Sequence, residues 1–312
     1  MDADDRELFD RSLGHATATH TGEALDAALE DLGWADALAE DPATAVGLLF
    51  EHQGRANATS SALDRVLADA LGVEGAVVLP ALGGHQPPGD GAAVRGLGTG
   101  GVGSAETVVV AGTAADGTLT VSTVDTGALT LRPVDGLDPA YGLVAVTAAD
   151  LDGDGAPLDA ATWEAAMAAG QRALAHELVG TSRAMLDLAR DHAVDRIQFG
   201  VPIASFQAVR HRLAESLVAV EGADAAVDAA WDDGTPLAAA MAKAVAGRAA
   251  LTVARHAQQV LAGVGFTTEH PFHHHLRRTF VLDGLLGSSR SLTIELGEQL
   301  LSTRQLPALL PL

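Results

Sequence analysis

A mostly helical α+β fold follows from three changes of texture along the chain. Acidic amphipathic segments come first, then short β-branched runs cut by Gly, Asp and Pro, then Ala- and Leu-rich helical stretches. The expected architecture is N-terminal helices (1–72), a small middle β unit (73–157) and a C-terminal domain resembling a four-helix bundle (158–312). At 312 residues the chain can bury a sizeable core spread over two or three lobes.

In the first region, apolar residues fall three and four apart with acids between them, as in ALDAALEDLGWADAL (24–38). Thr21 is a candidate N-cap, and Asp41 is another, with Pro42 then at the first helical position. Residues 1–70 carry 15 acidic and 4 basic side chains, half of the whole chain's excess of negative charge at a net −22. Lys243 is the one lysine among 19 basic residues. Such a surface suits solubility and argues against binding nucleic acid through its phosphates. The opening MDADDRELFD fits neither a secretory leader nor a transit peptide, and no run approaches the ~20 apolar residues of a membrane span. No cysteine is present, so disulfides and thiolate metal sites are excluded. A cytoplasmic protein without a membrane anchor is expected.

The middle region reads as a small antiparallel β unit. EGAVVLPALGG (74–84), the run 105–136 and GLVAVTAADLDGDG (142–155) are its β-branched pieces, with Asp116-Gly117 as a hairpin turn. Between the first two lies GGHQPPGDGAAVRGLGTGGVG. Gly96, Gly98 and Gly101 spell GxGxxG there, but no strand is read before them and no helix after, which favours a surface connection over a phosphate cradle. DLDGDG (150–155) has the aspartate spacing of a calcium loop but lacks its closing Glu and flanking helices, so a turn is expected.

From 158 onward the chain is helical again. Phe206, Val209, Leu213, Leu217 and Val220 form one stripe, and PLAAAMAKAVAGRAALTVARHAQQVLAGVG (236–265) is apolar almost all round, as suits a bundle centre or a subunit contact. His270, His273, His274 and His275 form a cluster without a metal-binding spacing. G-x-S-x-G is missing, so hydrolase chemistry has no support.

Two stretches stand out. RIQFGVPIASFQ (196–207) interrupts the helical run, with a helix expected to end near Ile197, a turn through 200–202 and a new helix near Ser205. Arg196 and Gln198 are donors beside the break and Phe199 a flat apolar face, suited to a phosphate and a planar cofactor. A helix end with a favoured cation and an aromatic staple explains the same residues. QQVLAGVGFTTEHPFHHHLRR (258–278) ends an apolar helix in Gly263-Val264-Gly265, which either allows close backbone approach or simply caps the helix.

Together these stretches resemble the C-terminal domain of the acyl-CoA dehydrogenase family. The pattern R-x-x-F-G-x-x-I-x-x-F-Q is carried by Arg196, Phe199, Gly200, Ile203, Phe206 and Gln207. Ala242-Lys243 follows, then Gln259, Gly263, Gly265, Phe266, Glu269 and Pro271, then Arg277-Arg278. The match covers roughly 165–300, and the helix–β–helix order agrees with the family, though the first two parts are shortened.

The resemblance implies FAD-dependent α,β-dehydrogenation of an acyl-CoA thioester, with electrons passing to an electron-transfer flavoprotein. It implies FAD contacts at Arg196, Gln198, Phe199, Gln207, Gln259 and Gly263, made to a neighbouring subunit's cofactor. It also implies a subunit interface on the last helices. The family's catalytic Glu precedes a Gly-Thr near the C-terminus, but in DGLLGSSRS (283–291) Leu286 takes its place. The family's alternative base position falls at Gly170. Glu177, about 10 Å further along the same helix face, and Asp283 are the remaining candidate bases, against a capping or surface role for each. The family's flavin-contacting Thr/Ser segment and W-[IV]-[TS] are missing. Short members of this kind resemble one chain of a steroid-degrading heterotetramer whose longer acyl-CoA dehydrogenase partner bears the Glu. A self-sufficient homo-oligomer with a relocated base and a non-catalytic scaffold are the alternatives.

Overall fold

The computed structural model describes residues 3–149 and 155–304. The reading of 150–155 as a turn lies outside the described residues except for Gly155. Five helices come first: α1 (Ala3–Thr19), α2 (Glu23–Asp31), α3 (Trp34–Glu40), α4 (Pro42–Ala56) and α5 (Ala62–Leu71). Asp41 caps α4, its carboxylate accepting from Thr44 N at 3.2 Å, with Pro42 in the first turn. Thr21 does not cap α2. Gly22 holds that position at φ 61°, and the Thr21 hydroxyl pairs with Thr59 instead.

The middle region contains β1 (Ala76–Val77), β2 (Gly89–Asp90), β3 (Ala93–Gly98), a short helix α6 (Gly100–Ser104), β4 (Thr107–Thr113), β5 (Leu119–Asp125), β6 (Thr130–Pro133), β7 (Val144–Ala148) and β8 (Ala156–Pro157). They form one sheet, ordered β6-β7-β3-β2-β4-β5-β8. The sheet is mixed, because β1 and β2 both run parallel to β4. β4 shows why this region reads as strand. Val108 and Val110 face a small valine cluster with Val78, Val94, Val102 and Val146, while Val109 and Ala111 face the main core.

The GxGxxG reading needs correction. Gly96 and Gly98 lie inside β3, and α6 follows at once. A Cβ on Gly96 would stand 2.4 Å from Leu79 O, and one on Gly98 would stand 2.6 Å from Val102 Cβ. These glycines admit close packing of strand and helix, which a search for turn residues cannot distinguish from a loop.

The C-terminal half is built on α7 (Ala160–Asp195), 36 residues long. Around it pack α8 (Gln207–Asp233), α9 (Pro236–Leu261), α10 (Phe272–Gly284) and α11 (Ser289–Thr303). Crossing helices α4 and α7 touch backbone to backbone. A Cβ on Gly54 would lie 2.2 Å from Glu177 O, and one on Gly180 would lie 2.1 Å from Glu51 O. The stretch Pro236–Phe266, with mean hydropathy 1.4, is long and apolar enough to cross a membrane, contrary to the reading from composition. Along α9, Ala242, Ala246, Ala250, Val253 and Ala257 are buried in the bundle, so the bundle's centre accounts for that hydropathy.

Candidate functional site

The break at RIQFGVPIASFQ is a miniature hairpin rather than a loop. α7 stops at Asp195, and β9 (Ile197–Gln198) pairs antiparallel with β10 (Val201–Pro202). The two residues between the strands, Phe199 at φ 53° and Gly200 at φ 82°, adopt the left-handed pair that a two-residue hairpin demands. Glycine takes this backbone freely, whereas a bulky aromatic does not. Phe199 is nevertheless 93 % exposed, with its ring edge-to-face to Phe206 at a centroid separation of 6.2 Å. A strained aromatic facing solvent contributes nothing to this chain's own packing. The next helix begins at Gln207, two residues later than the sequence suggests, after a 3-10 turn at Ile203–Ser205.

The hairpin forms one wall of an 830 Å3 groove. Ala208, Val209 and Arg212 of α8 form a second wall, and residues 259–264 at the end of α9 form the third. Ala262 turns the chain there at φ 50°, ψ −128°, another conformation normally left to glycine. Gly263 is exposed, and a Cβ built on it would meet nothing within 4 Å, so its backbone lies open.

The groove is electrostatically unlike the rest of the molecule. The chain has 41 acids against 19 Lys and Arg, yet among the described residues no Asp or Glu lines this groove. Its charged groups are Arg196 and Arg212, neither with an ion-pair partner among the described residues. His192 also lines it. Burial, and then the nearby Arg196, hold its imidazole below the ordinary histidine value, so it stays neutral at neutral pH. Of the residues singled out from sequence, the fold brings together Arg196, Gln198, Phe199, Gln259 and Gly263. Gln207 is exposed at the start of α8 but does not line the groove.

The base position looks quite different. Leu286 sits between α10 and α11 at φ 54°, followed by Gly287 at φ 97°, and is 1 % exposed. A Cβ on Gly170 would lie 2.4 Å from Leu286 Cδ1 and 2.9 Å from Leu67 Cδ2. The two positions where the family places its base therefore meet in space, and leucine side chains fill the gap between them. Polar contacts hold the turn rigid. Gln171 Nε2 donates to Leu286 O at 3.0 Å, and Lys243 Nζ donates to Asp283 O at 3.0 Å and Gly287 O at 3.3 Å. Burial pulls the Lys243 ammonium down to about 8, with Asp283 opposing the shift. The Asp283 carboxylate accepts from Ser289 N at 3.0 Å, which ties α11 to α10.

Glu177 is no surface acid. It is 2 % exposed and pairs at 3.4 Å with Arg278, which is itself fully buried. Arg278 Nε also donates to Asp138 at 2.8 Å, and Nη1 to Ala58 O at 2.8 Å, with the Tyr141 ring 4.8 Å beneath. One guanidinium thus joins the end of α4, the β region, α7 and α10. Burial raises Glu177 to about 7, against the lowering effect of Arg278.

The sequence did not reveal Arg212, His192, Ala262 or the Gln171 bond to Leu286. Arg212 follows Ala208 by one helical turn, a spacing that would have exposed it. A strained Ala262 leaves no mark in composition.

Residues 161–301 match the family model described as acyl-CoA dehydrogenase, C-terminal domain. The match covers just under half of the chain, and over it the chain is similar to the C-terminal domain of that family. Among curated relatives, acyl-CoA dehydrogenase FadE34 of Mycobacterium tuberculosis is 46 % identical over 123 residues, which is 37 % of this chain and 17 % of that protein. Acyl-CoA dehydrogenase IpdE2 of the same organism is 38 % identical over 117 residues, covering 38 % of this chain and 37 % of that one. The match thus spans well under half of either relative. Solved structures extend the likeness of fold to nearly the whole chain. The ChsE4-ChsE5 complex from Mycobacterium tuberculosis aligns with TM-score 0.70 at 22 % identity, over 97 % of this chain and 89 % of that one. Butyryl-CoA dehydrogenase of Megasphaera elsdenii aligns with TM-score 0.72 at 19 % identity, over 96 % and 100 %.

Proposed function

We propose that this chain is one subunit of an FAD-dependent acyl-CoA dehydrogenase, working in a heteromer whose longer partner carries the catalytic carboxylate. The observation behind this reading is the pairing of an open, carboxylate-free groove with a leucine-filled base position. The groove's residues fit the adenosine diphosphate part of FAD. Arg196 and Arg212 are free to bind phosphate oxygens, Phe199 and Phe206 offer apolar faces, and Gln259 and the Gly263 backbone supply polar contacts. FAD, when bound, supplies the two-electron acceptor for α,β-dehydrogenation of an acyl-CoA thioester.

This chain's part is to anchor and orient. The exposed Phe199 and the open side of the groove favour a cofactor shared with a neighbouring chain. Removal of the α-proton falls to the partner, because Leu286 cannot titrate. The likeness to a ChsE4-ChsE5 complex favours an unlike partner. That to the Tcur3481-Tcur3483 steroid acyl-CoA dehydrogenase, TM-score 0.74 at 21 % identity, favours a bulky, steroid-type acyl group, with an electron-transfer flavoprotein as final acceptor.

The test is flavin stoichiometry. Produced alone, the chain is expected to aggregate or to lack stoichiometric flavin; produced with a longer acyl-CoA dehydrogenase as its partner, it should give a yellow complex. A soluble, fully flavinylated and active homo-oligomer would overturn the heteromer.

A further inference from the structure

A second cavity, of 290 Å3, lies behind the Leu286 turn, between the early turns of α7, the start of α9 and α11. Met167, Leu237, Ala240, Leu292 and Leu296 make its walls largely apolar. Two polar groups on these walls lack partners among the described residues. The indole N–H of Trp34 donates to Ala45 O and that of Trp231 to His176 Nε2, each at 2.9 Å. Trp163 lines the cavity, is 6 % exposed, and has no acceptor among the described residues. Gln171, 4 % exposed, commits its Nε2 to Leu286 O and leaves Oε1 without a donor among the described residues. His85 also lines the cavity, its Nε2 3.4 Å from Glu295. Buried indole and amide groups normally find partners. Trp163 and Gln171, two turns apart on α7, carry these unmatched groups on the wall of one space.

We propose that this cavity binds a small neutral alcohol, an apolar ring or short branched chain bearing one hydroxyl. The hydroxyl oxygen accepts from the Trp163 indole N–H, and its proton is donated to Gln171 Oε1. The volume stands at the lower end of ligand cavities, ~300–1,000 Å3, which limits the ligand to fragment size. Glu164 and Glu295 on the lining turn away carboxylates. The site is separate from the hairpin groove, and its occupancy depends neither on flavin nor on the heteromer reading. Gln171 links it to the base-position turn, holding the ligand at one end of its amide and the Leu286 carbonyl at the other.

The probes are cyclohexanol and 4-methylcyclohexanol, with cyclohexanecarboxylate as the charged control. The protein, alone or in its native assembly, carries 15N-labelled tryptophan, and Trp163→Phe identifies the relevant indole signal. The expected result is a saturable shift of that signal by the alcohols, with Kd on the order of 1 mM for a ligand so small, and none by the carboxylate. Ala240→Phe fills the cavity and should abolish the shift. Gln171→Met keeps the shape, removes the acceptor, and should weaken binding about tenfold. Absence of saturation up to the probes' solubility overturns the proposal. So does unchanged binding in Gln171→Met, which decides the matter should Ala240→Phe fail to fold.

Discussion

Gly170 and Arg196 stand about 40 Å apart on the same long helix, and the surroundings of the two have opposite character. At the hairpin end, backbone strain is concentrated at Phe199 and Ala262, the surface is open, and cations stand without partners. At the Gly170 end, leucines interlock, and the strained Leu286 is clamped by Gln171 and Lys243. Strain that faces solvent needs something outside the chain to justify it. Strain inside a packed turn is compensated by contacts within the molecule. The first end therefore keeps the features of a ligand site, and the second has become part of the core.

The largest effect should come from the missing base. In the heteromer proposed above, removing the partner's catalytic carboxylate should lower turnover ~10²–10⁴-fold, while Glu177→Gln and Asp283→Asn should each stay within a few-fold. Steady-state rates with flavin content monitored will show it. A hundredfold loss from Glu177→Gln, with the assembly intact, would make this chain its own catalyst and erase the contrast.

Next comes the packed end itself. Leu286→Glu buries a carboxylate among Gly170, Leu67 and Leu286's other neighbours, and should cost roughly 2–5 kcal/mol in denaturant unfolding, more at pH 8 than at pH 5. An equal cost relative to the unsubstituted chain at both pH values would mean that the turn opens to water and is not a sealed core.

Glu177 offers a separate pH signature. Its folded value, about 7, lies above its ordinary 4.5. Its contribution is therefore fully present below about pH 4.5 and lost as the pH rises through 7, a decline of about 3 kcal/mol. Glu177→Gln should flatten the stability profile across that window, as unfolding curves at half-unit steps will report.

At the open end, Arg196→Ala should weaken FAD binding to the complex by about 1.5–3 kcal/mol and leave folding intact. Unchanged affinity with a lower melting temperature would return Arg196 to the role of a helix cap. The smallest effect is also the most diagnostic. Phe199→Gly relieves the left-handed backbone and should stabilise the apoprotein by about 1 kcal/mol while weakening cofactor retention. Loss of stability would show that the aromatic serves the fold.

Helices, sheet and groove were legible in the sequence to different degrees. Periodicity identified α4 with its Asp41 cap, and the two odd stretches identified most of the groove, because local chemistry had to break local pattern there. From sequence the hairpin at Phe199 reads as a looser turn, since a phenylalanine is not what positive φ predicts. β3 escaped notice because its glycines serve close packing, which depends on what lies across the sheet. The meeting of Gly170 with Leu286, 116 positions apart, had no local signature at all.

Arg278 has a consequence for how the chain is made. Its acceptors at Asn57, Ala58 and Asp138 leave the ribosome long before it does. Until the C-terminal segment emerges, two carbonyls and the carboxylates of Asp138 and Glu177 await a cation that does not yet exist. The earlier elements can collapse during synthesis, but they cannot lock. Closure is deferred to a single late-arriving side chain, and fragments that stop short of it should be easy prey for proteases.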